Sequence, residues 1–291
     1  MLSIIISTYK PDLLKQVTQN IAETIALTEY EIIPVHNPGL MGICEAYNTG
    51  EQQAKYDNLL FVHEDVLFRT EDWGEKLIQH LSSPEVGVVG VAGSDYVPTA
   101  PSGWYVNSMQ HQFLHLIQNT KEGDQAKYDN FVTENKHRVY ALDGVFLAMR
   151  KEVFSKIKFN EDLKGFHGYD LDISLHAAKQ YENYVIADIL IEHFSLGAPN
   201  KDWLDANVLI RKKYGAQYQN KMNAEIEVER FQGFLYSYFQ FYGINLKTTA
   251  ETLRFIPIGR IPSSQLRTLM KKYYHFFKYR SYFKEKFKTK D

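Results

Sequence analysis

Sulfur that could crosslink this chain is almost absent: its 291 residues contain one cysteine, Cys44. That excludes an internal disulfide framework and a cysteine-built zinc cluster, and a lone thiol suits a reducing compartment. Long hydrophobic runs are missing too. No stretch approaches the roughly 18 continuous apolar residues of a membrane-spanning helix. The run Leu2–Ile6 is too short to span, has no basic leader and passes directly into Ser7, Thr8 and Tyr9, so it reads as a buried strand. Membrane contact is therefore expected to be peripheral, and the expected location is cytoplasmic, with the inner face of the membrane as the place of any such contact. An excess of one charge is missing as well, the formal net charge being -2. What the chain does have is 44% hydrophobic residues, enough for one large core or two smaller ones, which removes disorder as a starting assumption.

The near-zero net charge hides an asymmetry. Arg267 to Lys290 carries nine Lys or Arg against one acid, Glu285, and interleaves them with Tyr273, Tyr274, Phe276, Phe277, Tyr279, Tyr282, Phe283 and Phe287. Cations and rings in one segment suit anionic headgroups and the acyl boundary, so residues 267–290 are a candidate membrane-surface contact. A solvated basic helix packing its rings on the domain is the plain alternative. Nucleic acid fits the same composition but is not the expected partner.

From residue 2 onward, short apolar runs alternate with helical periodicity, the pattern of strands joined by crossover helices in a mostly parallel sheet. The expected strands are Leu2–Ser7, Glu31–Val35, Asn58–Val62, Val86–Val91, Val139–Met149 and Tyr184–Asp188. A helix opening at Pro11 and Asp12 places Leu13, Leu14, Val17, Ile21 and Ile25 on one face. Further helices are expected around Ile43–Ala54, after Asp72 as cap with Trp73, Leu77, Ile78 and Leu81, and over Asp170–Gln180. Residues 94–137, with Pro98, Pro101 and Gly103 and then a polar stretch from Asn119 to Lys136, are expected to be loops and a mobile segment. Beyond Asp202 the pattern is helical. No internal repeat or low-complexity linker separates these helices from the rest.

Polar clusters fall just after expected strands: Ser7-Thr8-Tyr9, His36-Asn37 and His63-Glu64-Asp65. Strand ends of an open parallel sheet line a crevice, and helix N-termini beside it favour a phosphate-bearing ligand. In His63-Glu64-Asp65, adjacent carboxylates lie between the apolar flanks Leu59–Val62 and Val66–Phe68. Such charge needs a partner, and a divalent cation bridging a diphosphate supplies one; Mg2+ and Mn2+ prefer oxygen ligands and neutralise a leaving diphosphate. The plain alternative is a solvated or ion-paired acidic turn. A second cluster, Gly165 to Asp172, puts two carboxylates beside a glycine-rich turn. A transferase that inverts a sugar needs one carboxylate as base on the acceptor hydroxyl, a role that falls to Asp170, with Asp172 mainly capping or supporting the helix. Either acid is open to an ordinary capping role. A third, Ile191 to Ser195, offers His193, an imidazole able to complete a Mn2+-type site or to serve structurally.

Leu2-Ser3-Ile4-Ile5-Ile6-Ser7-Thr8-Tyr9, the acidic turn at 63–65, Leu142-Asp143-Gly144-Val145-Phe146-Leu147, Gly168-Tyr169-Asp170-Leu171-Asp172 and His193 occur in the same order as in family 2-like glycosyltransferases with the GT-A fold. The chain resembles that family over roughly residues 1 to 197, most closely the bacterial subgroup similar to the streptomycin-biosynthesis StrF protein. The resemblance implies an α/β, Rossmann-like nucleotide-diphospho-sugar transferase: residues 1–200 as the GT-A domain, with a nucleotide-sugar half at 1–100 and an acceptor half at 101–200, and residues 201–291 as a helical extension. It implies Ser7, Thr8 and Tyr9 near base and ribose with His36 and Asn37 close by, His63 and Glu64 on the nucleotide-sugar side, and Mn2+ or Mg2+ on Asp65 and His193. His63 stands where the family's first motif acid usually lies. Asp170 matches the base of inverting members, Asp143, Gly144, Tyr169 and Asp172 fall on the acceptor side, and Tyr169 stands where many relatives carry Glu.

The activity so implied is transfer of a sugar from a nucleotide diphosphate sugar, UDP type favoured, to a hydroxyl of a glycan, lipid-linked or protein acceptor in surface glycan or polysaccharide biosynthesis. A different class of reading is a non-catalytic nucleotide-sugar or carbohydrate binding protein that keeps the fold, for which His63 is the best support. A third places the function in a membrane-surface scaffold after Arg267.

Overall fold

A strand paired on both edges and covered on both faces needs apolar residues throughout, and Leu2, Ile4, Ile5 and Ile6 supply them. The computed structural model describes residues 1–119, 125–129, 135–195, 197, 199–216, 218–219 and 221–288. Strand β1 (Leu2–Thr8) is followed by α1 (Pro11–Thr24), β2 (Tyr30–His36), α2 (Ile43–Glu51) and β3 (Asn58–His63). Both β2 and β3 pair with β1 in parallel, so α1 and α2 are crossover helices, as the alternating pattern predicts. Pro11 stands in the first turn of α1, where its missing N–H is harmless, and Val17 and Ile21 are buried beneath it.

The chain continues through β4 (Val66–Phe68), α3 (Trp73–Leu81), β5 (Val86–Gly90), β6 (Ala92–Ser94), β7 (Gln112–Asn119), β8 (Gln125–Asp129), β9 (Lys136–Val139), β10 (Ala141–Leu142), β11 (Phe146–Arg150), α4 (Lys151–Ile157), α5 (Tyr169–Ala177), β12 (Glu182–Ile186) and β13 (Ile191–His193). One sheet has the order β2-β1-β3-β11-β5-β12-β9, in which β11 and β9 run against the other strands, so the sheet is mostly parallel. The other has the order β10-β6-β7-β13-β4, with β8 paired to β7.

Three local expectations are corrected. Within residues 94–137, expected to be loops, the structure has β7, β8 and β9. Phe113, Leu114, Leu116 and Ile117 form a strand because β6 and β13 pair with it, and β13 is a partner far away in sequence. Residues 97–110 are irregular, while 120–124 and 130–134 of the expected polar loop lie outside the described residues. The single expected strand Val139–Met149 is broken between β10 and β11 by a turn in which Asp143 Oδ1 accepts from the Val145 N–H at 2.7 Å. Asp72, expected to cap α3, sits in the left-handed region at φ 58 and makes no side-chain cap; its N–H donates to the Thr24 carbonyl at 3.0 Å instead.

The chain divides into two compact units, Met1–Tyr96 with Met109–Ala198, and Val97–Ser108 with Pro199–Asp291. Residues 97–108 thus group with the C-terminal helices, α6 (Lys201–Tyr214), α7 (Ala224–Tyr242), α8 (Leu246–Leu253), α9 (Ser263–Lys278) and α10 (Arg280–Lys288). Asn200, Asn223 and Asn245 cap α6, α7 and α8 through their side chains. The core of this unit is aromatic, built on Phe231, Phe234, Phe239, Tyr273 and Phe276. No described helix is long and apolar enough to cross a membrane.

Candidate functional site

Strand β3 ends at His63, and after the turn Glu64-Asp65 the chain enters β4, which belongs to the other sheet. Strand β13 runs antiparallel to β4, setting His193 opposite Val66, and the Phe194 N–H donates to the Asp65 carbonyl at 3.0 Å. Backbone pairing thereby brings His193 to the acidic turn. Asp65 Oδ1 lies 3.8 Å from His63 Nδ1 and 3.6 Å from His193 Nε2, and one ligand atom from each residue lies within 4.8 Å of the others. Two donors about 2.1 Å from one cation are about 3.0 Å apart at right angles and about 4.2 Å apart when opposite, so the two shorter separations already fit and a small side-chain adjustment closes the third. Each side chain keeps some exposure, 32% for His63, 17% for Asp65 and 13% for His193, which leaves a ligand a way in.

The imidazoles are oriented for this. His193 Nδ1 lies 3.1 Å from Gln118 Oε1, an acceptor only, so Nδ1 carries the proton and Nε2 presents its lone pair toward Asp65. The Ser195 hydroxyl, 3.2 Å from Nε2, donates to that lone pair. Gln118 also donates to the carbonyls of His193 and Ser195, at 3.2 and 2.9 Å. His63 directs Nε2 to the Tyr169 hydroxyl at 2.7 Å and Nδ1 to Asp65. Burial, and then the neighbouring His193, lower the pKa of His63, which keeps its ring neutral and fit to ligate at neutral pH.

Beneath the cluster, the buried carboxylate of Glu192 is fully employed. Arg69 donates to it through Nε at 2.8 Å and through Nη2, and Asn119 and Gln125 donate at 2.9 and 2.7 Å. Guanidinium and amides together compensate the charge and tie β13 to β7, β8 and the residue following β4.

On the other side of His63 lies the start of α5. Gly168, at φ 79, takes the position preceding the helix, so Asp172, expected mainly to cap or support it, sits buried inside the first turn, where the helix dipole favours an acid. Asp170 stands in the same turn, half-buried, with Oδ1 accepting from the Leu171 N–H at 2.8 Å. Burial, reinforced by the Asp143 carboxylate, pushes its pKa up from 3.8 to about 7. Tyr169 packs edge-on against Tyr47 at 5.8 Å. A Cβ on Gly144 would come within 2.0 Å of the Tyr169 hydroxyl, so this approach requires glycine at 144.

The residues expected around the nucleotide take unequal parts. Ser7 pairs with Val35 and His63, and Thr8 with His36, at the carboxyl ends of the central strands. Glu64 accepts from the Thr8 hydroxyl and from the N–H groups of Tyr9 and Lys10, both at 3.2 Å, so Thr8 and Glu64 engage each other and set the shape of the β1–α1 loop. Asn37 is buried and holds its own loop, accepting from the Leu40 and Met41 N–H groups at 3.0 and 3.1 Å. Tyr9 and His36 are the exposed members of the group.

Sequence reasoning missed one residue of this cluster and gave another a different part. Gln118 lay in the stretch expected to be loop, although the apolar run Phe113, Leu114, Leu116 and Ile117 marks a strand. His63 was assigned to the nucleotide-sugar side, whereas the structure groups it with Asp65 and His193.

Residues 4–227 match the sequence profile of the glycosyltransferase-like family. The chain belongs to that family. No curated protein matches this glycosyltransferase-like chain. Among solved structures, the crystal structure of GalNAc-T7 with UDP, GalNAc and Mn2+ aligns with a TM-score of 0.53 at 12% identity, over 73% of this chain and 47% of that one. This chain therefore spans about half the length of that protein, and the likeness establishes the GT-A fold. The structure of Staphylococcus aureus TarS 1-349 in complex with UDP-GlcNAc aligns at 15% identity over 91% of this chain and 82% of that one, with a TM-score of 0.48.

Proposed function

We propose that this glycosyltransferase-like chain is an inverting, metal-dependent transferase. It moves a sugar from a nucleotide diphosphate sugar, UDP type favoured, to a hydroxyl of a glycan, lipid-linked or protein acceptor in surface glycan or polysaccharide biosynthesis. The observation that carries the reading is the convergence of His63, Asp65 and His193 on one small volume at the end of the central strands. Two imidazoles and one carboxylate suit Mn2+ better than Mg2+, which favours oxygen donors throughout. The structure of GalNAc-T7, which shares the fold, holds UDP and Mn2+.

In this reading His63, Asp65 and His193 hold the cation, with Gln118 and Tyr169 orienting the imidazoles. Once bound, the cation would neutralise the charge of the departing diphosphate. Tyr9 and His36 are exposed at the strand ends to meet the nucleotide, on loops shaped by the Thr8–Glu64 contact and by Asn37. Asp170 takes the proton of the acceptor hydroxyl as that oxygen attacks the anomeric carbon opposite the leaving group, which inverts the centre. Its raised pKa matches it to that work near neutral pH. Asp143 and Gly144 border the acceptor side, Asp143 through its charge on Asp170 and Gly144 by admitting Tyr169.

The reading is tested by thermal shift with UDP, with and without Mn2+, on the native chain and on Asp65→Ala. Stabilisation by UDP that needs Mn2+ and vanishes in Asp65→Ala is expected, since a ligand bound at about a hundred times its Kd raises stability by about 2.7 kcal/mol. The second arm measures sugar hydrolysis or transfer in Asp170→Asn. Loss of turnover with nucleotide binding retained is expected; nucleotide binding without turnover in the native chain would establish the non-catalytic binding protein instead.

A further inference from the structure

The rings of the C-terminal helices fall into two sets. Leu269, Tyr273 and Phe276 of α9 are buried, Tyr273 and Phe276 standing 6.2 and 5.0 Å from the Phe239 ring, and Phe287 of α10 packs edge-on against Tyr236 at 5.2 Å. Those contacts, together with Phe283, whose ring lies 4.6 Å from that of Phe276, account for half of the aromatic residues of the segment. The remainder face outward: Tyr274 is 60% exposed, Tyr279 50% and Tyr282 59%, with Met270 and Phe277 beside them.

The outward residues are segregated. At 3.6 residues per turn, Met270, Tyr274 and Phe277 (i, i+4, i+7) form one stripe of α9 next to the buried one, and Arg267, Lys271 and Lys278 (i, i+4, i+11) form the stripe beyond it. The Lys278 ammonium lies 5.7 Å from the centre of the Tyr274 ring and 5.4 Å from that of Tyr279, at the seam between rings and cations. Arg280, Tyr282 and Lys284 continue the exposed surface along α10. Among the described residues, none of Arg267, Lys271, Lys272, Lys278, Arg280 and Lys284 shares an ion pair with an acid of the chain.

We propose that this face of α9 and α10 docks on an anionic phospholipid bilayer, with Met270, Tyr274 and Phe277 at the headgroup boundary and the adjoining cations on lipid phosphates. The layering of the helix surface, from apolar through ring to cation, repeats the layering of a bilayer from acyl boundary to charged surface, and the sign of the charge is complementary. A single-stranded polynucleotide would meet the cations and stack bases on Tyr274 and Phe277, but it has no place for Met270, whereas the segregation of an apolar stripe from a cationic one matches a bilayer surface. The proposal is independent of the transferase reading.

The test is flotation of the 291-residue chain with vesicles of phosphatidylcholine alone and of equimolar phosphatidylcholine and phosphatidylglycerol. Binding to the anionic vesicles only, weakening as salt is raised, is expected. Each cation at the surface strengthens partitioning about five-fold, so Lys271→Gln with Lys278→Gln should weaken it about twenty-five-fold. Tyr274→Ser with Phe277→Ser should weaken it several-fold at unchanged charge, and both double variants alter exposed positions and should keep the native Tm. Absence of vesicle binding, equal binding to neutral vesicles, or full binding by either double variant overturns the proposal, as does binding to a polynucleotide by a chain indifferent to anionic vesicles.

Discussion

The Tyr169 hydroxyl stands 2.7 Å from His63 Nε2, and this contact joins the imidazole beside Asp65 to the residue immediately before Asp170. If His63 ligates through Nδ1, its Nε2 must carry the proton and donate it to the Tyr169 oxygen, which fixes both tautomer and ring angle. Tyr169→Phe keeps the ring packing and removes the acceptor. It should lower Mn2+ affinity about ten-fold, read by calorimetric titration of the metal alone, while Tm changes little. An unaltered affinity would detach Tyr169 from the metal centre.

Gln118 has the same part for His193. Gln118→Leu fills the space but accepts no hydrogen bond from Nδ1, freeing the imidazole to change tautomer and orientation. Mn2+ binding should weaken about 10- to 100-fold. Gln118→Glu, which retains an acceptor, should lose less, and a Leu variant that binds metal as well as the native chain would show that Gln118 matters only to the backbone of β13.

The raised pKa of Asp170 has consequences of opposite sign for activity and stability. Activity should climb with pH through about 7, because the carboxylate is the base. Stability moves the other way: the folded state binds the proton more tightly than the unfolded chain, so the contribution is complete below the unfolded value near 3.8 and is lost as pH rises toward about 7. Asp170→Asn removes that loss. At pH 8 the metal-free variant should be more stable than the native chain, by at most about 4 kcal/mol and by less because the carboxyl is partly in contact with water. At pH 3 the difference should disappear. A variant less stable than the native chain at pH 8 would refute the assignment of a strained carboxylate.

Arg69 and Glu192 test the support beneath the site. Arg69→Ala leaves a buried carboxylate without its cation and should reduce unfolding free energy by roughly 3–5 kcal/mol in denaturant titration. Arg69→Met combined with Glu192→Met removes both charges and should recover much of that loss. If the double variant is no better than the single one, packing rather than charge compensation holds β4 and β13 together.

Much of the organisation was legible along the chain because it is locally encoded. The continuous apolar run of β1 and the helical spacing of Val17 and Ile21 both act within a few residues of themselves. The polar clusters at 7–9, 36–37 and 63–65 were legible as strand ends for the same reason. Strand β7 was marked only by the short apolar run Phe113, Leu114, Leu116 and Ile117 between polar and proline-bearing stretches, and its partner β13 lies too far along the chain for a local pattern to announce. Asp72 looked like a cap on its residue type, but its backbone enters the left-handed region and its N–H is taken by Thr24.

The sequence by itself determined that α/β crossovers would bring acids and histidines to the ends of central strands, because alternating apolar periods leave few other ways to bury those faces. Only the tertiary structure decided which side chains share a volume. His63 joined Asp65 and His193 because β4 leaves one sheet for the other and pairs with β13, and Gln118 entered because β7 lies beside β13 in register. Pair contacts of this kind depend on strand registers summed over the whole fold, a quantity that no single stretch of chain carries.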